Sequence, residues 1–432
     1  MRVTGHCFAV AIAAFFSLEA YSQDYFDVPE IVSSIDSLQD TAEAFADSSI
    51  SKTRVDSLLL EYYGKNRNFE FTSLSDLDTT LVRYTSSVPD SVFVQRLSDI
   101  KSFIPLTFND VVKNYIILYS EKMPEKMGRV IGLGNYFFPI FQETFNRYGI
   151  PEELRAMAVI ESMLKYDAVS RVGAKGMWQF MYGTAKLYGL TINSFVDERL
   201  DPVKSVEAAA KYLSDSYAIF GDWQLAIASY NCGPGNVNKA MKRSGKHDIW
   251  DIYYYLPRET RGYVPAFTGA LYALNYYREY GIEPERVDLP AQVDTFHVNK
   301  MLHFKQVSEL TGVPIETLKL LNPQYTHDII PGSPKEKWVL RIPAHYTGDY
   351  VAVEDSLHLY KADTLLSPVV IKKIKDGGDG QRIAYKVKSG DTLGGIAKRY
   401  GCTVKQIQTW NHLKGTTIRI GQTLSIYRGG RR

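Results

Sequence analysis

One glutamate in this chain stands where a carboxyl group can hold its proton near neutral pH. Glu161 lies in the stretch from Ala158 to Leu190, AVIESMLKYDAVSRVGAKGMWQFMYGTAKLYGL. Reading from Leu154, the apolar positions Leu154, Met157, Ala158 and Leu164 have the spacing of one helix face, and Glu161 falls in phase with them. A carboxylate on an inward face is desolvated, and desolvation raises its pKa. That is the condition a general acid needs. A loop carrying Ser170, Gly173 and Gly176 follows, and a second helix is predicted to open with Met177, Trp178, Gln179 and Phe180. The competing reading, an exposed or partnered helix glutamate, is the commoner state of this residue type. The apolar phase and the loop behind it argue against that reading here.

No second acidic residue stands out beside Glu161. Asp167, Asp197, Glu198 and Asp201 fall in loops or at a helix cap, where solvation or capping accounts for them. The histidines are scattered and no Cys/His cluster has metal-ligand spacing, so neither a metal nor a cofactor is expected. Cys232 and Cys402 belong to what read as separate modules and are expected as free thiols. A net charge of +2 leaves no electrostatic footprint for nucleic acid. Thirty tyrosines and five tryptophans point weakly toward glycans, because aromatic faces lie against sugar rings while a phenol or indole edge still hydrogen-bonds. Core packing accounts for most of them.

The elements that must position these residues divide a 432-residue chain into several domains. Residues 1–22 read as a secretory signal: Arg2 supplies the positive charge, Phe8 to Leu18 is apolar, and Ala20-Tyr21-Ser22 gives small residues before a cut at Gln23. The apolar run is too short to span a bilayer and no second span follows, so export with release, to the periplasm or cell envelope, is the expectation. Residues 23–107 are rich in Ser, Asp and Thr and read as a partly disordered leader. Residues 108–285 read as an all-α domain. Within it, Asp201-Pro202 is an N-cap with proline at the first helical position. Val203, Val206, Ala210, Leu213, Tyr217 and Phe220 then form a stripe that Gly221 stops. Trp223 to Tyr230 is a further helix ending in the turn Asn231-Cys232-Gly233-Pro234-Gly235, and Pro257 to Tyr280 reads as one long aromatic helix.

Residues 384–428 read as a small β-α-α-β module, and residues 291–344 repeat its outline in order and spacing rather than identity. Residues 345–383 between them, with Lys372-Lys373 and Gly377-Gly378, read as a solvated linker. The fold class is therefore multidomain, one all-α domain with small α+β modules.

Four motifs in order carry a family resemblance: Glu161-Ser162, Gly176-Met177-Trp178-Gln179, Ser229-Tyr230-Asn231, and Glu259-Thr260-Arg261-Gly262-Tyr263-Val264. With Ser170 between the first two and Gly233-Pro234-Gly235 after the asparagine, the middle domain resembles the goose-lysozyme-like catalytic domain of family 1 lytic transglycosylases. The whole arrangement resembles the membrane-bound lytic murein transglycosylase D group, and the small modules resemble LysM peptidoglycan-binding modules. Trp178 stands where many relatives have methionine, and Cys232 where they have alanine.

The resemblance implies that Glu161 is the single catalytic acid/base. It places Ser170, Met177, Gln179, Tyr230, Asn231, Glu259 and Tyr263 along the substrate cleft. Ser170 as a loop cap, Gln179 as a surface helix residue, Asn231 as a turn initiator, Tyr230 as a core tyrosine and Glu259 as a capping residue are the structural alternatives. In the second module, the resemblance implies that the backbone of the Gly390-Asp391-Thr392-Leu393 turn and of the loop from Asn411 to Gly421 would build the glycan groove. The first copy has Val298-Asn299-Lys300 in place of that turn, which suits a spacer or brace. The implied reaction protonates the bond between N-acetylmuramic acid and N-acetylglucosamine, and the muramoyl C6 hydroxyl then closes on C1 to leave a 1,6-anhydro end. The partner would be peptidoglycan, acted on by a monomer. A hydrolytic muramidase and a non-catalytic wall-binding scaffold are the alternatives.

Overall fold

In the computed structural model the described residues are 83–170, 173–336, 338–375, 381–400, 402–411 and 413–428. The signal expected over 1–22 and the leader up to residue 82 lie outside them.

The helical domain starts before residue 108. Helix α1 (Asp90–Asp99), which the sequence pattern assigns to the leader, buries Phe93 and Leu97 beside Ile116 and Tyr272. Arg96 adds a 2.9 Å bond to the Tyr272 hydroxyl. Helix α2 (Asp110–Ile117) is capped by Asn109 Oδ1, which accepts from Val112 N, and runs into a π-helical turn at Leu118–Lys122. Helix α3 (Pro124–Tyr148) has proline in its first turn and the left-handed Gly149 at its end. Its inner face sets Phe141 and Phe145 against Trp178 at ring distances of 5.3 and 6.1 Å. Burying each phenylalanine contributes about 1.5–3 kcal/mol.

Helix α4 (Arg155–Ser162) is shorter than the apolar spacing suggests. Met163 and Leu164 both take left-handed backbone conformations, so Leu164 enters the core from a turn rather than from the helix. After the short helix α5 (Tyr182–Leu187), helix α6 (Pro202–Phe220) has the expected ends: Asp201 accepts from Val203 N and Lys204 N, and Gly221 closes it. Two residues of its stripe face outward, however. Val203 and Tyr217 are exposed, and Tyr217 stacks on Trp223 at 4.1 Å. Helix α7 (Trp223–Cys232) extends two residues past Tyr230, and helix α8 (Pro234–Ser244) follows at once. The aromatic segment read as one helix is split at Gly262 into α9 (Arg258–Arg261) and α10 (Tyr263–Tyr276). The split lets Tyr263 begin a helix, which decides where its hydroxyl goes.

The first small module pairs β1 (Val293–Val298) antiparallel with β4 (Trp338–Pro343), Phe296 opposite Leu340. A second hairpin of β2 (Met301–His303) and β3 (Ile329–Pro331) brackets helices α11 (Phe304–Thr311) and α12 (Ile315–Leu321). The segment read as a linker is largely helical. It forms α13 (Thr347–Leu357), α14 (Ala362–Leu365) and α15 (Pro368–Lys375), and Tyr350, Leu357 and Ile374 bury against the first module. Tyr350 and Leu357 lie seven apart on α13 among aspartates and Glu354, and Ile374 lies among lysines on α15, so the segment's charged composition hid its inner face. The second module pairs β5 (Gln381–Lys386) with β6 (Thr423–Arg428) around α16 (Leu393–Tyr400) and α17 (Val404–Trp410).

Asn322 and Asn411 show the repeat in side-chain terms. Asn322 donates to Leu318 O and Arg341 O and accepts from Arg341 N. Asn411 makes the same three bonds with Ile407 O, Ser425 O and Ser425 N.

Candidate active site

The candidate site is assembled where the ends of α4 and α7, the 168–180 loop and the start of α10 meet. Glu161 is the next-to-last residue of α4, half-buried at the mouth of the core. Its Oε1 accepts a hydrogen bond from the Tyr263 hydroxyl. Burial pushes the Glu161 carboxyl up to about 7, against the opposing effect of the Tyr263 bond, which favours the charged form. A carboxyl at that value is close to half-protonated at neutral pH, as general acid–base exchange requires. Burial and the facing Glu161 raise the Tyr263 phenol well above its usual value, so it stays a donor.

The loop is tied to α4 by the neighbouring serine. Ser162 Oγ donates to Met177 O at 2.8 Å, a structural role for that hydroxyl. Gly176 takes a positive φ of 82°, and a Cβ there would sit 1.7 Å from Arg199 O, so only glycine fits. Gln179 is left-handed at φ 49°, and its Nε2 turns back onto Gly176 O at 2.7 Å. Its amide donor therefore braces the loop. Met177 is 1% exposed within the core, so its side chain does not reach the cleft. Ser170 accepts from Ala174 N at 2.9 Å, the loop-cap alternative.

Tyr230 donates its hydroxyl to Trp178 O at 2.8 Å and stands edge-on to Tyr212 and Phe180. Burial, and after it the charge of Glu161, raise the Tyr230 phenol, so the ring lies within the field of the acid. Asn231 is exposed at the end of α7, and its Oδ1 accepts from Thr260 Oγ1 at 2.8 Å. Glu259 lies exposed in the first turn of α9 behind Pro257, so it is not the helix cap. The structure thus brings Glu161, Tyr230, Asn231 and Tyr263 to one place, and leaves Met177, Ser170 and Glu259 out of the polar rim. Among the described residues no group of His, Cys, Asp and Glu is arranged to hold a metal.

Two residues escaped sequence reasoning. Thr260 holds Asn231, yet nothing distinguishes it within its motif. Asp197, read as solvated, is 3% exposed and paired with Arg199 at 2.8 Å and Lys175 at 3.0 Å. An Asp-x-Arg run invites a local pair but says nothing of its burial.

In the second module Gly390 has a positive φ of 82°, as its turn requires. Asp391 accepts from the Tyr385 hydroxyl and Lys388 N, and Thr392 Oγ1 accepts from Gly395 N. Leu393 is buried in the module core and Asn411 is spent on the backbone bonds described above. The side chains of both hold the module together.

Residues 139–253 match the Transglycosylase SLT domain family, and residues 385–426 match the LysM domain. Residues 292–359 match the lytic transglycosylase MltD, LysM-like domain, a span that includes α13. The chain is 30% identical to membrane-bound lytic murein transglycosylase D of Escherichia coli over 285 residues, 65% of this chain and 61% of that protein. It is 34% identical to the soluble lytic murein transglycosylase of Escherichia coli over 140 residues, 29% of this chain and 22% of that one. The crystal structure of the 70 kDa soluble lytic transglycosylase SLT70 from Escherichia coli aligns at 28% identity and TM-score 0.28 over 36% of this chain and 26% of its own. The matched length is thus under two thirds of these relatives. Glu161, Tyr230 and Asn231 fall inside the matched helical domain and Tyr263 just beyond it, and the chain is accordingly one that carries a transglycosylase SLT domain followed by an MltD-type LysM-like domain and a LysM domain.

Proposed function

We propose that this chain is a peptidoglycan lytic transglycosylase with Glu161 as its single acid/base. One observation carries the reading: a carboxyl raised to about 7 by burial, aligned by the Tyr263 hydroxyl, in an SLT domain. Protonated Glu161 donates to the oxygen between N-acetylmuramic acid and N-acetylglucosamine. The muramoyl N-acetyl oxygen stabilises the positive C1. The carboxylate then takes the proton from the same sugar's C6 hydroxyl as that oxygen bonds to C1, so the product has a 1,6-anhydro end and water is neither consumed nor released.

With its oxygen held by Thr260, Asn231 offers the donor end of its amide to the substrate's acetamido carbonyl. Tyr230 supplies a ring wall. Among the described residues the acids near the cleft are otherwise engaged or exposed: Asp167 faces Lys165 at the surface and Glu259 lies on the outer turn of α9. A mechanism that draws its second group from the sugar fits that shortage.

No helix among the described residues is long and apolar enough to cross a membrane. The reading places the chain as an exported monomer in the periplasm or cell envelope, its second module tethering glycan strands near the cleft. Mass analysis of digested sacculi tests the proposal. Anhydro ends support it, and products heavier by one water assign a hydrolytic muramidase instead.

A further inference from the structure

Asp197 is the centre of a buried ion-pair cluster. Arg199 reaches it through Nε at 2.9 Å and Nη2 at 2.8 Å, and Lys175 Nζ at 3.0 Å. Burial works against its charge, yet Lys175 and Arg199 hold its carboxyl at about 2. Arg199, 2% exposed, spends Nη1 on two loop carbonyls, Gly173 O at 3.0 Å and Phe180 O at 3.3 Å. A buried guanidinium with four of its five N–H donors engaged in a fixed fork tolerates little displacement of its partners. It therefore clamps both ends of the loop whose middle is bonded to Ser162 and Tyr230.

The segment Phe195–Asp197 also forms the seam with the first LysM-like module. Asp197 N donates to Gln324 O at 2.8 Å, and Thr326 N donates to Phe195 O at 2.9 Å. Phe195 and Val196, though part of the helical domain's chain, are buried in the module's core. Arg341 of β4 reaches both oxygens of Asp201, at 3.2 and 3.0 Å, two residues beyond Arg199.

We propose that the first LysM-like module is a brace for the catalytic loop, acting through Asp197 and Arg199 as positioning residues. Docking on Phe195–Asp197 fixes the ion-pair cluster, the cluster fixes residues 173–180, and that loop underlies Glu161. The left-handed Gln179 within it is a conformation that persists only where its surroundings impose it. The inference rests on the reading of Glu161 as the acid.

The test uses the full chain. Val196→Asp puts a charge into the seam and undocks the module without touching Glu161, while Arg341→Met removes the pair with Asp201 together with a 3.5 Å bond to Leu321 O inside the module. Turnover of soluble glycan fragments and hydrogen exchange of the 173–180 amides are measured. Undocking is expected to lower kcat roughly tenfold or more, since small misplacements near the acid are costly, with KM moving less than about threefold. Exchange in the loop rises while α6 and α7 keep their protection. Arg341→Met loses a smaller share of kcat, and Arg341→Lys recovers it. Wild-type kcat with unchanged loop exchange in Val196→Asp overturns the brace. If that variant does not fold, wild-type kcat in Arg341→Met overturns it instead. Glu161→Gln assayed alongside separates the two failures: turnover there contradicts the acid, whereas an inactive Glu161→Gln beside an undiminished Val196→Asp contradicts the brace alone.

Discussion

The Tyr263 hydroxyl donates to Oε1 of Glu161, joining the first residue of one helix to the end of another 102 positions earlier in the chain. The bond opposes burial: it favours the charged carboxylate, while burial favours the protonated one. The balance leaves the acid near neutrality, with Oε1 committed to the Tyr263 hydroxyl.

The pH dependence follows from that balance. Glu161 is the required acid below about 7 and is lost as pH rises through that value. The rate on soluble fragments is expected to fall along a limb near pH 7 with the slope of one proton. A rate flat from pH 5 to 9 contradicts it.

Tyr263→Phe removes the donor that stabilises the carboxylate. The Glu161 carboxyl then titrates higher, so the limb moves to more alkaline pH, while the rate at the optimum falls by roughly tenfold as the group loses its alignment. A pH–rate profile of this one variant reads both effects. A limb shifted to lower pH means that the hydroxyl does not stabilise the charged form.

Glu161 is also a stability liability. Its folded-state pKa lies above its unfolded value of 4.5, so the folded chain binds more protons between pH 4.5 and about 7. Its contribution is fully present below 4.5 and is lost as pH rises through 7. Glu161→Gln removes this dependence, and at pH 8 the helical domain is expected to gain up to about 3 kcal/mol relative to wild type, compared with pH 4. Thermal unfolding at the two pH values measures it. Equal differences at both contradict a raised carboxyl.

Asn411 joins α17 to β6 through three backbone bonds. Asn411→Ala leaves two carbonyls and an amide without that partner, a loss of about 2–3 kcal/mol in a very small core. Sacculus binding is expected to weaken while cleavage of soluble fragments stays at the wild-type rate. Equal loss of both places the module inside the catalytic step.

What the sequence disclosed and what it hid follow from range. Asp201-Pro202 and Gly221 mark the ends of α6 because capping is settled within a few residues. The phase of Glu161 on α4 was visible because helical spacing is local too. Met177 read as a cleft residue because its neighbours are, yet the tight loop turns its side chain into the core. Leu164 fits a helical spacing but enters the core through a left-handed turn that no composition signals. Asn411 looks available in a loop rich in polar residues, and only the pairing of β5 with β6 reveals that its amide is spent. The seam between Phe195–Asp197 and Gln324–Thr326 joins segments far apart in the chain, and each alone reads as an ordinary turn.

The central claim is that Glu161 gives its proton to the bridging oxygen of the glycan and is reprotonated by the muramoyl C6 hydroxyl. Glu161→Gln keeps the shape of the side chain and removes that proton. Incubated with purified sacculi and followed by mass spectrometry, the wild-type chain is expected to release fragments with 1,6-anhydromuramoyl ends, and the folded variant none while still binding the wall. Release of the same anhydro fragments by Glu161→Gln at a comparable rate contradicts the account.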